Sequence, residues 1–116
     1  MNINMENKLI QKSKYYFRCF QKKDLENLSK IFAKNIYLED WDNKIRGKSK
    51  NLSFLKKTFN KNSFNIKVEN FFLHRTKKIV SCQIIITLKD KKKIKVIDVI
   101  TFDKTFKITK IEAYKC

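Results

Sequence analysis

Proline is missing from this chain, glycine occurs once, at Gly47, and histidine once, at His74. A single histidine makes any Ser-His-Asp or Cys-His arrangement depend on that one residue. His74 stands beside Arg75 and near Lys77 toward the end of a strand, and reads as a surface residue. Cys19, Cys82 and Cys116 are odd in number, widely spaced and outside any CxxC or Cys/His pattern. That argues against a disulfide framework and against a zinc site, so free thiols are expected, with no metal and no cofactor. No stretch approaches the ~20 apolar residues of a membrane span. The opening MNINMENKLIQKSKYY has neither the apolar run nor the small-residue cleavage site of a signal peptide. A soluble, cytoplasmic protein without a membrane partner is expected.

Acidic residues are also scarce, 11 against 28 basic ones, for a net charge of +17. Such a surplus invites a nucleic-acid reading, because clustered Lys and Arg neutralise phosphates. Only Arg18, Arg46 and Arg75 are arginine, however, and arginine is the favoured residue for bidentate phosphate and guanine contacts. The lysines are spread over nearly every segment, among abundant Asn and Ile and few Ala, a composition like that of an A/T-rich genome. A solvated basic surface is expected, not a nucleic-acid groove.

What is present is a chain of 116 residues, enough for one domain over residues 1–116 with one core and one small pocket, and too short for two. From Met5 to Lys23, Leu9, Ser13, Tyr16, Phe17 and Phe20 share one helical face. Asp24 is a plausible N-cap for a second helix carrying Leu25, Leu28, Ile31 and Phe32 and ending near Ala33 to Asn35. In NIYLED, Ile36, Leu38 and Asp40 then share one side of a strand, and Tyr37, Glu39 and Trp41 the other. WDNKIRGK reads as a turn, and a third helix, roughly Ser49 to Phe59, offers Leu52, Leu55 and Phe59.

The remainder alternates as strands. Phe64, Ile66 and Val68 share a face, as do Val80, Cys82, Ile84, Ile86 and Leu88; a charged turn, LKDKKKIK, leads into KVIDVITFD, and TFKITKIEAYK supplies the last strand. Helices followed by adjacent strands make an α+β pattern with an antiparallel sheet packed on three N-terminal helices. Ile85, Ile97 and Val99, on the opposite parity from Ile84 and Val96, leave an apolar stripe on the other sheet face, where a homodimer contact is expected.

KVIDVITFD places Asp98 on one face with Val96, Ile100 and Phe102, a carboxylate among apolar side chains. An unpaired ionised acid taken out of water neutralises, finds a partner or marks a functional site. Tyr16 and Asp40 are the other polar groups at inward positions. A tyrosine on an apolar stripe is usually core, and an Asp at a strand end often caps a turn.

The stretches YYFRCFQKKDLENLSKIFAKNIYLED, IRGKSKNLSFL and VIDVITFDKTFKITKIEAY, within roughly Lys14 to Tyr114, resemble the nuclear transport factor 2-like superfamily in its SnoaL-like and ketosteroid isomerase branch. The resemblance implies a cone-shaped pocket between a strongly curved sheet and the helices, often in a dimer joined through the sheets. In the bacterial ketosteroid isomerases a Tyr on the first helix and an Asp in a late strand donate hydrogen bonds to an enolate oxygen, and an Asp ending the first strand moves the proton. Those roles fall on Tyr16, Asp98 and Asp40, with Phe20, Trp41, Phe54, Val96 and Ile100 as the substrate-binding wall. Trp41 stands where those isomerases commonly have Pro, and Phe32 and Leu55 stand where some have supporting tyrosines. The implied activity is isomerisation of a small apolar carbonyl compound. The alternatives are a non-catalytic ligand-binding or interaction module in which Asp98 and Tyr16 hydrogen-bond each other, and a basic nucleic-acid-associated protein.

Overall fold

The structure, a computed structural model, describes residues 2–116. Helix α1 (Ile3–Gln21) is capped by Asn2, whose side chain accepts from the Met5 amide at 2.8 Å. Its apolar stripe buries Leu9, Ser13, Tyr16 and Phe17 as the spacing requires, and also Cys19. Asp24 caps α2 (Leu25–Ile31), accepting from the Asn27 amide at 3.1 Å. This helix stops at Ile31, earlier than its apolar spacing suggests, because Phe32 is already extended (φ −82°, ψ 134°) and pairs with Ile108. Pairing and full burial of Phe32 override a local helical preference.

The strands are β1 (Phe32–Glu39), β2 (Lys44–Arg46), β3 (Phe64–Leu73), β4 (Ile79–Leu88), β5 (Lys93–Phe102) and β6 (Ile108–Lys115), with α3 (Lys48–Lys61) between β2 and β3. They form one sheet in the order β2-β1-β6-β5-β4-β3. Strand β2 lies in the stretch read as a turn, where three residues fold back on Tyr37–Glu39. Every neighbouring pair is antiparallel except β1 with β6, which run parallel. A parallel neighbour needs a long crossover, supplied here by everything from β2 to β5. Register breaks between Val68 and Asn70, Thr101 and Phe102, and Phe32 and Tyr37 add twist, and the sheet curves over the helices packed on one face.

Two long side chains satisfy backbone groups left open by the sheet and the helices. Gln21, closing α1, donates to the Phe64 carbonyl at 3.0 Å and accepts from the Ile66 amide, satisfying part of edge strand β3. Lys23 donates to the carbonyls of Phe59 (2.7 Å) and Asn62 (2.6 Å), covering the C-terminus of α3. Scarcity of glycine has a visible consequence: left-handed backbone falls on Lys23 (φ 57°), Lys91 (φ 71°) and Phe106 (φ 64°). Gly47 itself, at φ 100°, is N-cap of α3, and a Cβ there would meet no neighbour, so its requirement is conformational. Among the described residues no helix is long and apolar enough to cross a membrane.

Candidate functional site

Three elements deliver polar groups to one cavity of about 150 Å³ between the helices and the concave face of the sheet. Tyr16 comes from α1, Asp40 from the residue just past β1, and Asp98 from the middle of β5. Phe20, Trp41, Phe54 and Val96 contribute to its wall. Ile100 does not: it is fully buried in the core, one strand alternation beyond Asp98, where it pairs with Val80 and Ile111.

Trp41 reaches the cavity by a route that alternation does not describe. Strict period two would set it on the face opposite Asp40, but the strand ends at Glu39 and a bend carries Trp41 to the cavity side. About half of it is exposed (48%). With Asp40 and Ala113 it also borders a surface recess lined by Glu39, Glu112, Tyr114 and Lys115.

Asp98 is 8% exposed and Tyr16 3%. Neither makes a hydrogen bond with protein, to each other or elsewhere, among the described residues. Burial pushes the Asp98 carboxyl up to about 7, and the charge of Asp40 adds to the shift. Burial, followed by Asp98 and Cys82, raises the Tyr16 hydroxyl well above its ordinary value. Both groups therefore keep their protons through slightly acidic pH and face the cavity as unpartnered donors.

Asp40 is held differently. Its Oδ1 accepts from the amides of Asp42 (2.8 Å) and Asn43 (2.7 Å) and from Asn43 Nδ2 (3.0 Å), while Oδ2 has one long contact with Asn43 Nδ2 at 3.3 Å. The turn orients the carboxylate and leaves Oδ2 the freer oxygen. His74 is exposed, with Nδ1 accepting from the Thr76 and Lys77 amides, so it organises a surface turn away from the cavity.

Several wall residues escaped the sequence reading, among them Leu38, Thr58, Ile111 and Ala113. Thr58 is occupied, donating to the Phe54 carbonyl at 3.1 Å. Ile111 and Ala113 share a parity on the last strand, a signal that was present in TFKITKIEAYK. Asn51 carried no such signal. It is fully buried in α3, outside the cavity, and its Nδ2 donates to the carbonyls of Gly47 (2.9 Å), Ile45 (3.1 Å) and Ile36 (3.4 Å), pinning the β1–β2 hairpin to the helix. Among the described residues no group of His, Cys, Asp and Glu side chains has the makings of a metal site.

No protein-family model matches the chain, and no curated protein matches it. Solved structures do. The epoxide hydrolase/cyclase-like enzyme SalBIII of pyran ring formation in salinomycin superposes with a TM-score of 0.82 at 17% identity, over 96% of this chain and 92% of that one. A candidate ketosteroid isomerase from Kribbella flavida gives 0.83 at 12% identity, over 95% of this chain and 78% of that one. A computationally designed 17-OHP binder gives 0.79 at 16% identity, over 90% of each. The fold is one that this chain shares with solved structures described as an NTF2-like protein, a SnoaL-like polyketide cyclase and a candidate ketosteroid isomerase. At these identities the likeness is one of fold, and the chemistry has to be argued from the cavity's own residues.

Proposed function

We propose that this protein isomerises a small, largely apolar carbonyl compound by proton transfer with enolate stabilisation. The observation that carries the reading is the pair of buried, unpartnered donors, Tyr16 and Asp98, on the same cavity as the oriented carboxylate of Asp40. Asp40 takes a proton from the carbon next to the carbonyl. The C–H pair becomes a C=C bond and the carbonyl π pair moves onto oxygen. That oxygen accepts hydrogen bonds from the Tyr16 hydroxyl and the protonated Asp98 carboxyl; in a β,γ-unsaturated substrate the pair on oxygen then re-forms the carbonyl, the enolate C=C pair becomes the α,β double bond, and the β,γ π pair takes the proton back from Asp40 at the γ carbon. Two donors fixed in advance where charge develops are worth roughly 3 to 4 kcal/mol each, and a positioned base contributes about 10²–10⁴-fold.

A second reading, a ligand-binding module without turnover, is favoured by the turn hydrogen bonds on Asp40, which suffice to explain an aspartate at this position. Mixing the protein with β,γ-unsaturated ketones and following the conjugated product by absorbance separates the two. Turnover that Asp40→Asn abolishes supports the isomerase; turnover equal in both proteins removes Asp40 as the base, and no turnover in either, with Asp98 ionised at pH 6 by carbon NMR, leaves the binding module.

A further inference from the structure

In a chain with 28 basic residues, none of the residues lining the cavity is Lys, Arg or His. Its ionisable side chains are Tyr16, Asp40 and Asp98. An anionic ligand would bring its charge up to the Asp40 carboxylate with no cation in the wall to compensate, a cost that low dielectric magnifies. The interior therefore accepts neutral compounds, whatever the surface attracts.

Size is limited as sharply. At about 150 Å³ the cavity matches in volume one that holds a benzene molecule. Phe20 forms part of its wall. Its ring stands edge-on to Phe59 (centroids 5.0 Å apart, 89° between planes), 5.4 Å from Phe64 and 5.9 Å from Tyr16. A ring packed against three others can move aside for a larger guest only by giving up those contacts.

We propose that the cavity selects uncharged, single-ring oxygen compounds of about the size of cyclohexenone, with Phe20 setting the upper size limit and the Asp40 carboxylate, with no cation beside it, excluding carboxylated rings. This rests on the cavity being the ligand site proposed above, but not on turnover. Fused-ring ketones and carboxylated rings are the classes it rejects.

Three probes test it by titration calorimetry at pH 6.5: phenol, whose ring fits and whose oxygen can meet Tyr16 and Asp98; 2-naphthol, one ring larger; and 4-hydroxybenzoate, of similar width but anionic. Hydrophobic burial alone would favour 2-naphthol. The wild type is expected to bind phenol at least tenfold more tightly than either of the others. Phe20→Ala is expected to bring 2-naphthol level with phenol or beyond it while 4-hydroxybenzoate stays excluded. If Phe20→Ala does not fold, Phe20→Leu serves, with a smaller shift in the same direction. Wild-type binding of 2-naphthol or 4-hydroxybenzoate as tight as that of phenol, or no binding of phenol, overturns the proposal. Selective phenol binding without ketone turnover would sink the isomerase reading alone, and turnover of a fused-ring ketone would sink this one alone.

Discussion

Asp98 and Cys82 face each other across β5 and β4, in register, so the carboxyl's cross-strand neighbour on that side is a fully buried thiol. On the other side its partner is Ala113. Neither supplies a cation or a strong donor. Burial and Asp98 itself push the Cys82 thiol far up, so it stays neutral and adds nothing to hold Asp98 as an anion. The ladder thus builds a carboxyl that favours its protonated form, and the small Ala113 leaves room beside it.

The pH dependence of stability follows from that environment. With its ordinary value at 3.8 and its folded value raised to about 7, Asp98 holds a proton in the native state that the unfolded chain has released. Its contribution is complete below pH 3.8 and is lost as pH rises through about 7, roughly 4 kcal/mol in all. Urea denaturation at pH 5.5 and pH 8 is expected to show the wild type losing about 2 kcal/mol more than Asp98→Asn over that interval. Equal losses in the two proteins would mean that Asp98 is not protonated in the fold. Turnover is expected to decline above pH 7 for the same reason, as the donor becomes an anion.

Replacing the proposed base separates chemistry from architecture. Asp40→Asn keeps an Oδ1 acceptor for the Asp42 and Asn43 amides. Stability is expected to change by less than about 1 kcal/mol, while turnover falls by roughly 10²–10⁴ because an amide cannot take the proton. A variant that unfolds readily but retains its specific activity would assign Asp40 to the turn alone.

Asn51 is expected to behave in the opposite way. Asn51→Ala removes the two N–H groups that the carbonyls of Ile36, Ile45 and Gly47 share, and a loss of roughly 1 to 3 kcal/mol should appear in the urea midpoint. The residue lies outside the cavity, so phenol affinity of the folded variant should be unchanged. A variant as stable as the wild type would show that these contacts do not hold the hairpin to α3.

The outer face of the sheet sets the expected oligomer. Ile85, Ile97 and Val99 are half-buried on the face away from the helices, and Tyr114, 54% exposed, pairs with Ile97. A second copy applied to this face would cover them, and a charge of +17 on each copy would oppose its approach. Sedimentation should therefore show dimer increasing with ionic strength, and Ile97→Lys should return the protein to 14.0 kDa monomers. Wild-type protein that remains monomeric in high salt would remove the dimer.

What the sequence determined by itself is what local periodicity controls. Successive side chains point to opposite faces of a strand, so Val96, Asp98, Ile100 and Phe102 were bound to share a fate, and all four are buried. Helical spacing did the same for Leu9, Tyr16 and Phe17, and the Asp24 cap is a matter of three neighbouring residues. Tertiary structure decided everything that depends on what lies opposite. It ended α2 at Ile31 by pairing Phe32 with Ile108, and it set β1 parallel to β6 across a separation no local pattern spans. It also turned Trp41 toward the cavity once the strand stopped. Ile100 and Asp98 show the limit most plainly. They share one face of one strand, yet the first is sealed in the core and the second borders the cavity. Alternation specifies which way a side chain points; how deep it lies depends on whether another element packs over it, and only the folded chain brings that element there.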